Sequence, residues 1–151
     1  KNVTGLVEAI ERYSVTKAFV PEVTLTSLGL STSTDPAYEA FNKAIEERAV
    51  PVAQISPGML LSLDHDVNMS VLFPADPALF KYSKASGPSL VFKIEYGSTS
   101  ILFMGSAAPK AQKLIASSSS AHADVLVVSH SLSASNFAKD LFTKIQPGYL
   151  V

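Results

Sequence analysis

The order of patterns in this sequence predicts a layered α/β sandwich with mixed sheets, on three observations. Helical and extended patterns alternate at both ends of the chain, the middle is a run of hairpin strands, and no glycine-rich nucleotide loop follows any strand. Alternation alone would fit a doubly wound parallel sheet. The hairpins require antiparallel neighbours, and the missing loop removes the signature of the dinucleotide-binding version of that sheet. With 151 residues, 47% of them hydrophobic, one domain can bury roughly 70% of the surface its unfolded chain would expose.

The elements follow in order. Leu6, Val7, Ile10 and Tyr13 are spaced for one helical face, and Lys17 to Val20 reads as a buried strand stopped by Pro21. Asp35-Pro36 opens the next helix as N-cap and first-turn proline, with Tyr38, Phe41, Ala44 and Ile45 along one face to about Arg48. Pro51 to Ile55 is a strand, and Ser56-Pro57-Gly58 a turn. Leu61 and Leu63 alternate with serine, Asp64-His65-Asp66 turns, and Val67, Met69, Val71 and Phe73 alternate again, the pattern of an antiparallel pair. Ser89 to Tyr96 and Thr99 to Met104 are β-rich runs joined at Gly97-Ser98, a hairpin signal. Ala108 to Ala116 reads as a helix, Asp124 to Val128 as a strand, Asn136 to Ile145 as a helix, and Tyr149 to Val151 as the start of a last strand. Nothing repeats internally, and the serine-rich pieces at 31–34 and 117–120 read as surface loops.

Composition removes several classes of function. Twelve Lys+Arg against thirteen Asp+Glu give a net charge of -1 with no basic run, so bulk charge does not encode a sequence-independent grip on nucleic acid. The absence of cysteine excludes disulfides, thiolate metal sites and a cysteine nucleophile, and leaves the compartment open. Purely apolar runs reach about five residues, against the ~20 that a membrane helix needs, and the N-terminus lacks the apolar core of a signal peptide. A soluble segment is expected.

Chemistry is expected where two strands end. Ile101 to Ala107 and Val127 to Ser133 are each a short apolar strand followed by small polar side chains, and the two ends suit a single site. A metal-dependent hydrolase would place an aspartate and histidines there. This chain offers serines and one histidine, His130.

The order Gly5-Leu6-Val7-Glu8-Ala9-Ile10, Val20-Pro21, Val50-Pro51-Val52, Gly58 to Leu63, Val71-Leu72-Phe73-Pro74, Ser89 to Gly97, Phe103 to Ala107 and Ala123 to Ser131 resembles the metallo-β-lactamase-like domain of the competence protein ComEC, the DNA-uptake channel family. The likeness runs over nearly the whole chain. It implies a metallo-β-lactamase-like αββα sandwich with two mixed sheets, incomplete at both ends. Lys1 falls inside an expected motif and Val151 inside a strand, so an N-terminal half-sheet is expected to lie outside the sequence.

The resemblance also implies a one- or two-metal phosphodiesterase site, using zinc or manganese, built from Asp-His-x-Gly-Gly-Leu, Thr-Gly-Asp-Ala and His-His-Gly-Ser motifs. Carboxylates and imidazoles suit that role because they hold the cation while leaving a position for a water whose pKa falls toward ~7. This sequence departs at each motif. Lys1-Asn2-Val3-Thr4-Gly5-Leu6 puts a cation and an amide where the family has a carboxylate and an imidazole. Met104-Gly105-Ser106-Ala107 has serine for the bridging aspartate, and Ser129-His130-Ser131-Leu132-Ser133 keeps one histidine and loses the glycine. Asn2, Ser106, His130 and Ser131 are therefore the candidates for a vestigial site, with His130 the one retained candidate ligand. No metal or other cofactor is expected in this chain.

Plainer readings stand beside these. His130 reads either as a vestigial ligand or as a hydrogen-bonded loop histidine. Asp64-His65-Asp66 reads as a solvated turn, not a metal cluster, and His122 as a surface residue. A serine nucleophile at Ser106 or Ser131 would need a base, and neither a Gly-x-Ser-x-Gly elbow nor an oriented Asp-His pair is present. Lys1, Lys110 and Lys113 read as solvated lysines ahead of an anion-binding rim. Three functions follow: an inactive ComEC-type domain kept for docking or guiding a DNA strand; an active metal-dependent DNA phosphodiesterase whose ligands lie upstream or were replaced by engineering; and an unrelated α/β binding module, which a sheet order unlike αββα would reveal. The first two imply DNA and the rest of a membrane channel protein as partners, and an extracytoplasmic, membrane-associated setting through that parent.

Overall fold

A computed structural model describes residues 3–23, 29, 36–75, 81, 89–128 and 137–151. The elements run α1 (Thr4–Arg12), β1 (Ala18–Pro21), α2 (Pro36–Glu47), β2 (Val52–Ile55), β3 (Leu60–Asp64), β4 (Val67–Phe73), β5 (Val91–Tyr96), β6 (Thr99–Gly105), α3 (Pro109–Ala116), β7 (Val125–Val128), α4 (Leu141–Ile145) and β8 (Tyr149–Leu150), with a 3₁₀ turn at Ser119–Ala121. β1 and β2 pair in parallel across α2, and the remaining strands form one sheet in the order β3-β4-β5-β6-β7-β8. That sheet is antiparallel from β3 to β6 and parallel from β6 to β8.

Three apolar clusters define four layers. Ile10 of α1 and Phe41, Ala44 and Ile45 of α2 pack on Ala18 and Val20 of β1. The other face of the small sheet, through Phe19 and Ile55, meets Met69, Val71, Phe92 and Ile94 of the large sheet. Val91, Leu102, Met104 and Leu126 on the far side of the large sheet pack on Ala111 and Ile115 of α3 and Leu141 and Ile145 of α4. The layers are therefore helix, sheet, sheet, helix, each sheet burying one face against its helices and one against the other sheet. Leu102, Met104 and Leu126 are wholly buried, and each such side chain favours the fold by about 1.5–3 kcal/mol over exposure. Val91, Ile94, Ile101, Phe103, Val125 and Val127 all lie in the six-stranded sheet. The facing sheet is the parallel β1-β2 pair.

The turns follow local chemistry. Tyr96 pairs with Thr99, leaving Gly97-Ser98 as a two-residue hairpin loop with Gly97 at φ +56°, the conformation that favours glycine. Asp64 pairs with Val67, so His65-Asp66 is a second such loop.

Two expectations need correction. Pro21 does not stop β1 but is its last residue, opposite Ile55. Ala18 donates to the Pro51 carbonyl just before β2 and Glu22 to that of Ile55 at its end, so the bonding positions are even-numbered. The missing N–H of Pro21 then falls on the side of the strand turned away from its partner, where it costs no ladder bond. The last helix is also shorter than expected. Residues 137–140 are not helical, Asn136 lies outside the described residues, and α4 begins at Leu141 after Asp140. Phe137, Leu141 and Ile145 have helical spacing, but the Ala138 N–H is held by the side chain of Gln112, and Leu141 closes a tight turn onto the Ala138 carbonyl.

Among the described residues no helix is long and apolar enough to cross a membrane.

Candidate functional site at the ends of two parallel strands

β6 and β7 are parallel with Gly105 opposite Val128, so their carboxyl ends open on one edge of the sheet. In α/β sheets this is where side chains can converge on a ligand. A bulge between Phe103 and Gly105 ends the regular pleat of β6, and Gly105 turns the chain with φ +52°. A Cβ at Gly105 would sit 3.1 Å from both the Leu90 carbonyl oxygen and Ser89 Oγ, so glycine is required by conformation and by space. The Ala107 N–H closes the turn onto the Met104 carbonyl at 3.3 Å.

Ser106 is exposed between buried Met104 and Ala107, which directs its side chain outward at the strand end. Its N–H donates to Ser89 Oγ at 3.2 Å, fixing the corner from the β5 side. α3 then starts at Pro109, with Ala108 in extended backbone as an N-cap that offers no side-chain bond. Ser129 follows Val128 directly in the sequence. Asn2, His130 and Ser131 themselves lie outside the described residues, as does Lys1.

The described donors do not fit a metal. The β6 corner supplies a serine hydroxyl and backbone groups, which are weak neutral ligands beside carboxylate or imidazole. Among the described residues no three of His, Cys, Asp or Glu come together. The two described histidines are elsewhere. His65 is 94% exposed and pairs with its own neighbour, Nδ1 to Asp66 Oδ2 at 2.9 Å, as a solvated turn should. His122 is exposed at the opposite end of β7, and Lys110 and Lys113 are exposed on α3.

At that opposite end Asp124 has a different task. Its Oδ2 accepts the Ser100 N–H at 2.7 Å and the Ser100 hydroxyl at 2.8 Å, and its backbone carbonyl accepts from Gly148 and Tyr149. The bond from the Ser100 N–H, then that from its hydroxyl, holds the carboxyl pKa below its ordinary 3.8, with a smaller contribution from His122. Asp124 therefore ties β6, β7 and β8 together and is not directed to the strand-end site.

Sequence reasoning missed Gln112, which is wholly buried on α3. It donates from Nε2 to the Ala107 carbonyl at 2.8 Å and accepts the Ala138 N–H at Oε1, also at 2.8 Å. Its signal was its position: Ala108, Gln112 and Ala116 share one helical stripe beside Ala111 and Ile115. Two surface depressions of about 300 and 350 Å³ lie against α1 and α2 and do not reach the strand ends; the first is lined by Tyr13 and Arg48, whose guanidinium donates to the Glu11 carbonyl.

No protein-family model matches the sequence, and no curated protein is significantly similar to it. Solved structures are. A mutant of the CmlA beta-hydroxylase aligns over 87% of this chain at 14% identity with a TM-score of 0.51. The Zn(2+)-bound PqqB from Methylobacterium extorquens aligns over 81% at 10% identity with a TM-score of 0.41. The chain spans about a third of either protein, 30% and 36% of their lengths respectively. The CmlA likeness and the four-layer order show the metallo-β-lactamase αββα fold.

Proposed function

We propose that this chain is a metallo-β-lactamase-like domain of a ComEC-type DNA-uptake protein, kept for docking or guiding a DNA strand and without hydrolytic activity of its own. The observation that carries the reading is Ser106. It stands where the resembled family has its bridging aspartate, and it is exposed at the carboxyl end of β6, where the end of β7 adjoins. A serine there supplies no charge to hold a cation, so none of the described side chains at this corner lowers the pKa of a water or offsets charge developing on a phosphorane. The likeness of Ser89 to Gly97 and Ala123 to Ser131 to that family supports the same reading.

The test is cleavage and metal content together. The purified chain should carry no stoichiometric zinc or manganese by elemental analysis. It should leave single-stranded DNA, double-stranded DNA and a chromogenic phosphodiester intact with manganese added. Manganese-dependent cleavage that is abolished by chelator and by His130→Ala would overturn the proposal in favour of an active phosphodiesterase.

A further inference from the structure

Behind the strand-end corner, Gln112 links two backbone segments that are distant in sequence. Ala107 directly follows Ser106, and Ala138 precedes α4; both are buried, as is the amide between them. Packing alone would not select glutamine here. The buried neighbours on α3 are Ala111, Ile115 and Ala116, and glutamine loses more rotamer freedom on burial than any of them. What it adds is a donor and an acceptor on one planar group, each matched at 2.8 Å to a buried backbone group of opposite kind.

We infer that Gln112 is a positioning residue of the strand-end site: its amide sets the spacing between the β6–α3 corner that carries Ser106 and the segment leading into α4. The inference rests on the strand-end reading of the site, yet its test involves neither DNA nor metal. Cleavage by the chain would sink the proposed function and leave this result untouched.

The first measurement uses the unmodified chain. The Ala138 amide precedes α4 in irregular backbone, and it should nonetheless exchange with solvent at least about a hundredfold more slowly than a free loop amide. The second uses spin labels at Lys110→Cys and Lys139→Cys, in a chain with no other cysteine. Gln112→Met keeps the volume and removes the bonds to Ala107 and Ala138; it should broaden the label-to-label distance distribution and cut Ala138 protection about tenfold, with the β4–β5 amides little changed. Gln112→Glu should be pH-dependent. When protonated, the acid donates to Ala107 and accepts from Ala138, restoring a narrow distribution; when ionised it cannot donate, and the distribution broadens. Burial raises the pKa of such an acid, so the transition should lie where the unmodified chain shows none. An unprotected Ala138 amide, a Met variant with unchanged distances, or a Glu variant indifferent to pH would each overturn the inference.

Discussion

The two ends of the β6–β7 pair are built from the same kinds of residue and do opposite things. At the amino ends a serine and an aspartate, Ser100 and Asp124, satisfy each other and fasten three strands. At the carboxyl end of β6 a serine, Ser106, is exposed on the surface, beyond a glycine that a left-handed turn and a tight fit explain. A carboxylate near a strand end is therefore no sign of a catalytic site until its partners are known. Asp124, directly before β7, is committed to the fold, and the described residues of the β6 corner include no carboxylate.

The largest test of this contrast is at Gly105. Gly105→Ala places a Cβ 3.1 Å from the Leu90 carbonyl oxygen and forces alanine to φ +52°; it should cost about 1–3 kcal/mol, measured by urea unfolding. A cost near zero would mean that the corner is not constrained as described. Next is Ser100→Ala, which deletes the hydroxyl donor to Asp124 and should lower the urea midpoint, by less than Gly105→Ala does. This loss should depend on pH. The Asp124 pKa is lowered in the folded state, so its contribution is fully present above the unfolded value of 3.8 and is lost as pH falls through the folded value. Melts of the two chains should converge in acid; a gap that stays constant would show that the carboxylate is not the partner that matters. The smallest effect on stability is expected at Ser106. Ser106→Ala should lie within about 0.5 kcal/mol of the parent, because the backbone N–H, not the side chain, makes the bond to Ser89. Adding Asp at Ser106 together with His at Asn2 and Ser131 should create zinc or manganese affinity measurable by calorimetry. Failure to bind would show that the strand ends do not converge as proposed.

The fold was legible because its signals are periodic. Alternation in Val67 to Phe73, the glycine at position 97 and the helical spacing in Leu6 to Tyr13 and Tyr38 to Ile45 each have one structural solution. The breaks in period were not legible. Bulges at 71–73 and 103–105 insert a residue that alternation cannot reveal, and the first one moves Phe73 to the α3 side, opposite Val91. Nor does spacing show that a side chain 26 residues away takes the Ala138 N–H and shortens the last helix. Of the candidate site, the strand ends and Ser106 could be read from pattern. Spacing puts Gln112 on a buried stripe, but its task is not readable there, because the backbone groups of Ala107 and Ala138 that it bonds are brought to it only by the fold.

The order of strands within the layers bears on how the molecule comes apart. Every described element of the outer helix and small-sheet layers ends by Ile55, and every element of the other two begins at Leu60 or later. The chain thus passes between the halves through one turn at Ser56-Pro57-Gly58, where Ser56 donates to Glu22 on one side and Gly58 to Val71 on the other. Each half is continuous in sequence and carries its own apolar cluster, and the two are joined by the Ile55–Met69–Val71 layer and by Val23, which packs on the cluster of the larger half. Such a chain should open in two steps under native conditions, the smaller half exchanging its amides first while the six-stranded half keeps its protection.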